Sequence, residues 1–417
     1  MEYIKRKIGT YNLHMIKTDR FKSSYIEVMF RDVISKERIT NTNFLTNMLI
    51  YSNEFYKTKH EYIIATEELY GLTITTTNYR LGHYYNTDFN TTILNEEYTE
   101  KGMFEKSVKF LAETVLNPNI VNNKFDLEAF NVIKAKTIAK INRVKEDISR
   151  YSAIRMLETM DSKADYALHG YGYLDDLEEI SVDSLYDYYK EFINDSIIDI
   201  YIVGNIEIEK TEELIRKYFN FKVLKKPKKT VLIEHGNVRM RPLKVVEEYD
   251  SEQANLCIGC KIKGLSDEER SYALTLYTSI LGGMESKLFN TVREKNSLCY
   301  YIYSFTNKLD NLLMIMSGID KGNFNKTNKL IKKEMNNMLK GKITEKELDI
   351  AKKEYLSSLD EIFDFPNKIV ASYYAMELMN ADSPEVRREK IQKVTVDMVA
   401  KVAKSIKIDT VFLLGGK

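Results

Sequence analysis

The chain has few residues that could bind a metal ion. Its five histidines are scattered along the sequence, at His14, His60, His83, His169 and His235. Helical zinc sites place two ligands about one turn apart, and no two of these histidines have that spacing on one predicted helix. We therefore expect no zinc site in this chain.

Two of the three cysteines form a Cys-x-x-Cys pair, a spacing found in redox-active and metal-binding sites. Cys257 and Cys260 lie in an apolar run at 256–262 that is typical of a strand. Residues three apart on a strand face opposite sides, and the sequence has no second pair of this kind. We expect both thiols to be structural. So few cysteines also argue against a disulfide framework and suit a reducing compartment.

The composition is that of an ordinary globular protein, with 44% hydrophobic and 29% charged residues. A length of 417 residues favours two or three domains. The net charge of +1 gives no reason to expect nucleic acid or an anionic membrane as a partner. No apolar run reaches the ~18 residues that span a bilayer. Residues 1–7 lack the apolar segment of a secretory signal, so we expect a cytoplasmic protein.

One pattern of elements occurs twice along the chain. A long helical pattern runs over 125–160, and a similar one runs over 343–379. The strand and helix that come earlier in each half are predicted at 25–30 with 42–52 and at 255–262 with 271–281. Strands cluster early in each half and helices come later. This order predicts the α+β class, with two homologous domains that each pack a mostly antiparallel sheet against helices.

The repeat sets the predicted domain boundaries. We predict a first domain at 1–222, a linker at 223–240 and a second domain at 241–417. The linker contains Leu-Lys-Lys-Pro-Lys-Lys at 224–229. Clusters of proline and lysine between domains are typical of solvated linkers. A nucleic-acid site would need aromatic residues and a wider basic surface, which this region lacks.

Four stretches of the sequence together resemble one protein family. They are Asn-Phe-Leu-Thr-Asn-Met-Leu at 43–49, Leu-Tyr-Gly-Leu-Thr-Ile-Thr-Thr at 69–76, His-Gly-Tyr-Gly at 169–172 and Leu-Phe-Asn-Thr-Val-Arg-Glu-Lys at 288–295. The chain resembles the insulinase/pitrilysin-like metallopeptidases, or inverted zincins. The similarity is to the short two-domain subgroup, which includes mitochondrial processing peptidase subunits and paired bacterial homologues. It spans nearly the whole chain.

In that family the helix that corresponds to 43–49 carries the zinc motif H-x-x-E-H, whose glutamate activates water. Its three chemical positions here hold Asn43, Thr46 and Asn47. None is a good zinc ligand, and none is a general base near neutral pH. The resemblance therefore implies a zinc-free member with no metal and no cofactor of its own. An active peptidase with a different metal site is disfavoured, because no ligand cluster exists.

The family's third zinc ligand is a glutamate on the long helix after the sheet. The resemblance places this position at Lys140. The preceding segment is longer here than in zinc-bearing relatives, so Lys136 and Glu146 remain alternatives. A lysine would bring a cation to the place where a carboxylate should hold Zn²⁺, and two cations in contact repel each other.

The family's second domain supplies an arginine and a tyrosine to the catalytic site. The matching positions in this chain are Arg293 and Tyr300, with Tyr301 as an alternative to Tyr300. A guanidinium and a phenol can donate hydrogen bonds to a scissile carbonyl or its oxyanion. The alternative role is structural, with the arginine paired to an acid and the tyrosine half-buried in a strand.

The resemblance also implies contacts with substrate. Gly282 and Gly283 correspond to a flexible loop that touches the peptide, although a helix C-cap would explain them equally well. Thr73, Thr75 and Thr76 lie in the predicted edge strand that receives a peptide by strand addition. An ordinary solvated strand is the alternative for these threonines.

Taken together, the resemblance implies the zinc-free subunit of an insulinase-like peptidase heterodimer. The expected partners are a zinc-bearing homologous chain and an extended peptide substrate, and the zinc belongs to the partner. Arg293 and Tyr300 would then act in trans on a peptide held by both subunits. The alternative is a non-proteolytic scaffold that binds a peptide or protein, with a possible link to modification of elongation factor P.

Overall fold

The computed structural model describes residues 1–221 and 237–415. The basic stretch at 224–229 and His235 lie outside the described residues. The chain forms two compact units, each with its own sheet. The first unit takes Met1–Asn142, residues 169–221 and Phe365–Tyr373. The second takes Arg143–Leu168, residues 237–364 and Tyr374 to the end of the described chain.

The first unit contains a six-stranded sheet with the order β1-β2-β8-β3-β5-β4. Its strands are β1 (Glu2–Ile8), β2 (Tyr11–Lys17), β3 (Ser23–Val33), β4 (Thr75–Leu81), β5 (Tyr84–Leu94) and β8 (Ile197–Gly204). Only the β2–β8 pair in this sheet is parallel. A separate short hairpin joins β6 (Ile120–Val121) to β7 (Lys124–Phe125). The strand β4 lies at one edge of the six-stranded sheet, as predicted for this stretch.

The second unit repeats this arrangement with five strands in the order β11-β12-β10-β13-β9. They are β9 (Leu243–Glu247), β10 (Ala254–Ile262), β11 (Cys299–Asn307), β12 (Leu312–Ile319) and β13 (Ile406–Leu414). The β9–β13 pair is parallel and the others are antiparallel. Strand for strand, β9, β13, β10, β12 and β11 correspond to β2, β8, β3, β5 and β4. The predicted duplication and α+β class are therefore confirmed.

Helices cover the sheets of both units. Before the second sheet begins, the chain forms α1 (Lys36–Leu49), α2 (Lys59–Glu67), α3 (Met103–Leu116), α4 (Leu127–Arg143), α5 (Ile148–Met160), α6 (Leu174–Glu179), α7 (Val182–Asp195) and α8 (Ile208–Tyr218). The remaining helices are α9 (Leu274–Gly282), α10 (Phe324–Leu339), α11 (Glu345–Asp360), α12 (Pro366–Met379), α13 (Pro384–Gln392) and α14 (Val396–Ala403). Two π-helical turns, Glu269–Ala273 and Phe289–Glu294, precede α9 and β11 respectively.

The two long helices predicted at 125–160 and 343–379 are each broken in two, which corrects the sequence prediction. The first breaks between α4 and α5, where the Asp147 side chain accepts a hydrogen bond from the Arg150 amide and caps α5. The second breaks before Pro366, which opens α12 at a position where proline is tolerated. Both breaks lie close to points where the chain passes from one compact unit to the other.

Because of the first break, α5 belongs to the second unit, where it covers one face of the sheet. Met156 and Met160 of α5 pack in a cluster with Cys257, Met316 and other buried side chains. The opposite face of the same sheet carries a larger core that includes Cys260. The two cysteines therefore face opposite sides of β10, as strand geometry predicted. Burial raises the pKa of both thiols, that of Cys257 to about 12.

No helix in residues 1–221 or 237–415 combines the length and the apolar character that a membrane crossing requires.

We predict that Met156→Ala loosens the contact between α5 and β10. Met156 is fully buried, and truncation of a buried methionine costs about 2–5 kcal/mol. The thiol of Cys257 donates a 3.3 Å hydrogen bond to Ser152 of α5, so its labelling reports this contact directly. Thiol labelling followed by mass spectrometry should show Cys257 reacting about tenfold faster or more in the variant.

The matched control is Met240→Ala, because the Met240 side chain is fully exposed. This control should label at the rate of the parent chain. Equal labelling of Cys257 in Met156→Ala and Met240→Ala would show that α5 does not protect the second sheet.

Candidate functional site

The helix α1 carries Asn43, Thr46 and Asn47, the predicted counterparts of the zinc-motif positions. It begins at Lys36, where the Ser35 side chain accepts a hydrogen bond from the Arg38 amide. Phe44 and Leu45 are fully buried in the core of the first unit. This packing fixes the rotation of the helix, so that the polar residues one turn apart lie on a different side from the core.

The side chain of Asn43 is buried and makes several contacts. Its amide nitrogen lies 2.9 Å from the carbonyl oxygens of Ile39 and Gly170 and 2.9 Å from the hydroxyl of Tyr85. One contact is within α1, one crosses to β5, and one reaches the loop at 169–172. Asn43 thus joins three separate segments of the first unit.

The edge strand β4 is tied to α1 by Asn78. Its amide nitrogen donates to the side-chain oxygen of Asn43 at 3.2 Å and to the hydroxyl of Thr46 at 3.0 Å. The amide of Asn47 donates back to the main-chain carbonyl of Asn43 at 2.6 Å. The three substituted motif positions therefore take part in one amide and hydroxyl network. Asn78 was not selected from the sequence, because nothing in a strand pattern shows which residue faces the helix.

The loop at 169–172 packs closely against Thr40 of α1. The hydroxyl of Thr40 accepts a 3.1 Å hydrogen bond from the Tyr173 amide. Gly172 has a φ of +89°, and a Cβ there would lie 2.9 Å from the Cα of Thr40. Only glycine satisfies both conditions, so this residue lets Gly170 and Tyr171 reach the site.

Lys140 lies at the same place as the three motif positions. A pocket of 620 Å³ is lined by Asn43, Thr46 and Asn47 of α1, by Ile50, by residues 74–78, by Lys140 of α4 and by Gly170 and Tyr171. The Lys140 ammonium lies 5.3 Å from the centre of the Tyr171 ring. Its side chain is largely exposed, yet partial burial of the ammonium still lowers its pKa.

The two alternative positions are placed differently. Lys136 lies one turn before Lys140 on α4 and contacts the ring of Tyr51 at 5.8 Å. Glu146 lies beyond the end of α4, within the second compact unit. Neither is among the residues that line the pocket.

The residues of this pocket do not fit a zinc ion. Zinc sites in proteins use imidazole, thiolate and carboxylate ligands, whereas the pocket offers amides, hydroxyls and an ammonium group. Across residues 1–221 and 237–415, no three histidine, cysteine, aspartate or glutamate side chains come together as a potential metal site. The pocket also contains a buried amide oxygen on Asn78 without a hydrogen-bond partner among the described residues. Amide oxygens are hard ligands that zinc does not favour.

The threonines predicted to contact substrate lie at the start of the edge strand. Thr75 and Thr76 line the pocket, and Thr73 is exposed just before β4 begins. The hydroxyl of Thr75 donates a 2.7 Å hydrogen bond to the side chain of Asn90 on β5. In the described chain β4 pairs only with β5, so its other edge faces no strand.

In the second unit, Arg293 lies on the π-helical turn Phe289–Glu294 that precedes β11. Its side chain is exposed, and its guanidinium lies 5.1 Å from the centre of the Phe289 ring. The main-chain carbonyl of Arg293 accepts a 2.9 Å hydrogen bond from the amide of Ser297. Ser297 has a φ of +49°, which closes the tight turn between this helical segment and the strand.

Tyr300 is the extra residue of a β-bulge at the start of β11. In the pairing with β12, Cys299 faces Ile319 and Tyr301 faces Gly318, which leaves Tyr300 without a partner. A bulge redirects a side chain out of the regular alternation. Tyr300 is 55% exposed, and its hydroxyl lies 3.4 Å from the carboxylate of Asp320.

Tyr301, the alternative to Tyr300, makes its side-chain hydrogen bonds within the second unit. Its hydroxyl is hydrogen-bonded to the side chains of Ser149, at 3.0 Å, and Asn255. Burial raises the pKa of Tyr301 to about 12.

Arg293 lies close to Cys299, the first residue of β11. Burial raises the pKa of the Cys299 thiol, and the positive charge of Arg293 partly offsets this rise. Arg293 and Tyr300 are thus brought to the same end of β11.

Gly282 and Gly283 lie at the C-terminal end of α9. Gly282 is the last residue of the helix and is buried, so the helix runs one residue further than predicted. A Cβ on Gly282 would overlap the backbone nitrogen of Ser304 on β11. Close packing between α9 and β11 therefore accounts for Gly282, and Gly283 caps the helix with its amide bonded to Ser279. The substrate role of both glycines stays a prediction.

Comparison with known proteins finds relatives that are described as inactive peptidases. A sequence profile described as the peptidase M16 inactive domain matches residues 179–355. "Probable inactive metalloprotease YmfF" of Bacillus subtilis is 28% identical to this chain over 420 residues, which cover 99% of this chain and 97% of the relative. The chain is similar to the insulinase-like, or M16, peptidases, and the predicted resemblance is confirmed.

Two further proteins are similar to this chain. "Uncharacterized zinc protease YmxG" of B. subtilis is 28% identical over 229 residues, which cover 52% of this chain and 54% of the relative. The crystal structure of a conserved protein from Enterococcus faecalis V583 superposes with a TM-score of 0.92. It is 24% identical and covers 100% of this chain and 99% of its own, which shows that the two chains share a fold.

We predict that Asn43→Ala destabilises the first unit of this chain. Alanine would remove the hydrogen bonds of the Asn43 side chain to the carbonyl of Gly170, to the hydroxyl of Tyr85 and to the amide of Asn78. The Gly170 carbonyl would keep its bond from Tyr85 and the Asn78 amide its bond to Thr46, so each lost hydrogen bond costs about 0.5–1.5 kcal/mol. Urea unfolding followed by fluorescence should therefore show a lower free energy of unfolding by at least that amount.

Asn41→Ala is the matched control. Asn41 lies on the same helix and makes the same type of bond, at 2.9 Å, to the carbonyl of Glu37 four residues earlier. That bond is exposed, so its loss should change stability by about 0.5 kcal/mol or less. Equal stability of the two variants would mean that the Asn43 network does not hold α1, β4 and the loop together.

Proposed function

We propose that this protein is the zinc-free subunit of an M16-type peptidase heterodimer. It would bind an extended peptide jointly with a zinc-bearing homologous chain. Arg293 and Tyr300 would donate hydrogen bonds to the peptide at the bond being cleaved. The partner would supply the zinc ion, whose chemistry is activation of water.

The observation that carries this proposal is the contrast between the two units. The pocket of the first unit has lost every residue that could serve metal chemistry. The second unit retains an exposed arginine and an exposed tyrosine at one end of the edge strand β11. The bulge that turns Tyr300 outward interrupts the regular pairing of β11 with β12, and bulges are common next to active sites.

The exposure of both side chains suits action on a group supplied from outside the chain. Among the described residues, the contacts of Arg293 include the face of Phe289 rather than a salt bridge with a carboxylate. The Tyr300 hydroxyl makes only a long contact with Asp320. Such donors can turn to a carbonyl oxygen without first breaking a strong buried interaction.

The zinc protease name of the relative YmxG supports the existence of zinc-bearing homologues of this chain, from which the partner would come. The competing function is peptide or protein binding without cleavage. The pocket beside the edge strand β4 favours this alternative, because it can hold a peptide without any partner.

The test mixes the purified chain with each H-x-x-E-H homologue encoded in the same genome. Mass photometry should detect one heterodimer, and the mixture should cleave peptides that neither chain cleaves alone. In that mixture, Arg293→Ala and Tyr300→Phe should each lower kcat by about 10²-fold, as expected when an oxyanion donor is removed.

Two exposed neighbours provide matched controls for these variants. Lys295→Ala removes a cation from the same turn as Arg293, and Tyr303→Phe removes a hydroxyl from β11. Both should retain the parent kcat. Unchanged turnover in Arg293→Ala and Tyr300→Phe would reject action in trans, and absence of any heterodimer would favour the binding protein.

A further inference from the structure

A positively charged group lies at the pocket of the first unit without a charged partner. Lys140 contacts the ring of Tyr171, and no carboxylate among the described residues pairs with it. An ammonium group at a concave and partly desolvated surface attracts anions more strongly than one on an open surface. The pocket therefore presents a positive charge where the motif positions themselves are neutral.

Two more lysines lie beside this pocket. Lys59 and Lys136 both approach the ring of Tyr51, each at 5.8 Å from its centre, next to the pocket residue Ile50. The ammonium of Lys59 donates a 3.0 Å hydrogen bond to the carbonyl of Ile50. Neither lysine has a carboxylate partner in the described part of the chain. We call Lys59, Lys136 and Lys140 the lysine cluster.

The lysines of the cluster are near one another. Lys136 and Lys140 lie four residues apart on α4 and so on the same face of the helix. Lys59 and Lys136 approach the same Tyr51 ring, and burial together with the charge of Lys136 lowers the pKa of Lys59. Cations that repel one another are stabilised when an anion binds between or beside them.

The edge strand β4 lines part of the same pocket, and its free edge suits an extended peptide. Residues 74–78 form part of the pocket wall, and β4 has a strand on one side only in the described chain. An extended peptide can pair with such an edge through main-chain hydrogen bonds. Its alternate side chains would then point to the helix face of the sheet, where Asn78 already contacts α1.

We propose that the pocket at Asn43, Asn47 and Lys140 binds a carboxylate of an extended peptide that pairs with β4. The lysine cluster supplies the charge complementarity, and the neutral amides of α1 form the base of the site. The carboxylate comes either from an acidic side chain or from the C-terminus of the peptide. This inference rests on the proposed function, because it names the class of peptide that the chain selects.

The experiment measures the binding of fluorescein-labelled ten-residue peptides to the full chain by fluorescence anisotropy. One peptide carries a central glutamate and an amidated C-terminus, the second has glutamine instead, and the third has the glutamine with a free C-terminal carboxylate. We expect the glutamate peptide, the free-carboxylate peptide or both to bind about tenfold more tightly than the neutral peptide. The arm that gains affinity identifies the source of the carboxylate.

Variants of Lys140 locate the effect. Lys140→Ala should remove the preference for the carboxylate, and Lys140→Glu should reverse it, because the new side chain repels the anion. Lys140→Arg should keep the preference. Lys134→Ala is the control, since Lys134 lies on the same helix but not at the pocket, and it should leave the preference unchanged.

The outcomes separate the two proposals. If none of the three peptides binds, alone or with the zinc-bearing partner, the proposed function fails as well. If all three bind with equal affinity, or if Lys140→Ala keeps the preference, the carboxylate site is rejected while the peptide-binding role stands.

Discussion

The amide of Asn78 connects the edge strand β4 to helix α1, and the arrangement of the first unit's pocket depends on this connection. It bonds the side chains of Asn43 and Thr46, two of the three motif positions. These residues bond to each other, to β5 and to the loop at 169–172. Direct hydrogen bonds therefore hold strand, helix and loop together. The chemistry left at the pocket is that of a cation, Lys140, beside neutral amides.

The same junction of helix and edge strand occurs in the second unit with different chemistry. There α9 packs on β11, the strand that corresponds to β4, and the absence of a side chain at Gly282 permits the approach to Ser304. The bulge at Tyr300 and the turn closed by Ser297 then place an exposed tyrosine and arginine at the end of the strand. One duplicated framework thus presents a cationic pocket in one unit and two hydrogen-bond donors in the other.

Much of this framework could be predicted from the sequence, because it follows from local patterns. The duplication and the α+β class came from the repeated order of helix and strand patterns, whereas the edge position of β4 came from the resemblance to the insulinase-like family. The breaks at Asp147 and Pro366 were missed because the apolar pattern continues across them, although both residues are known helix starters. The placement of α5 on the second sheet was not predictable, since periodicity shows that a helix has an apolar face but not which sheet it covers. The roles of Asn78 and Tyr300 depend on register and a bulge, which one sequence does not reveal.

A hydrogen-bond network joins the residues at the predicted motif positions, which offer no ligands that suit zinc. The most direct measurement is the zinc content of the purified chain after dialysis against excess zinc and then against metal-free buffer. Our account predicts zinc far below stoichiometric amounts, with the same content in Asn47→Ala. Stoichiometric zinc that Asn47→Ala or Lys140→Ala abolishes would contradict it, because the ion would then be bound at the pocket that Asn43, Asn47 and Lys140 line.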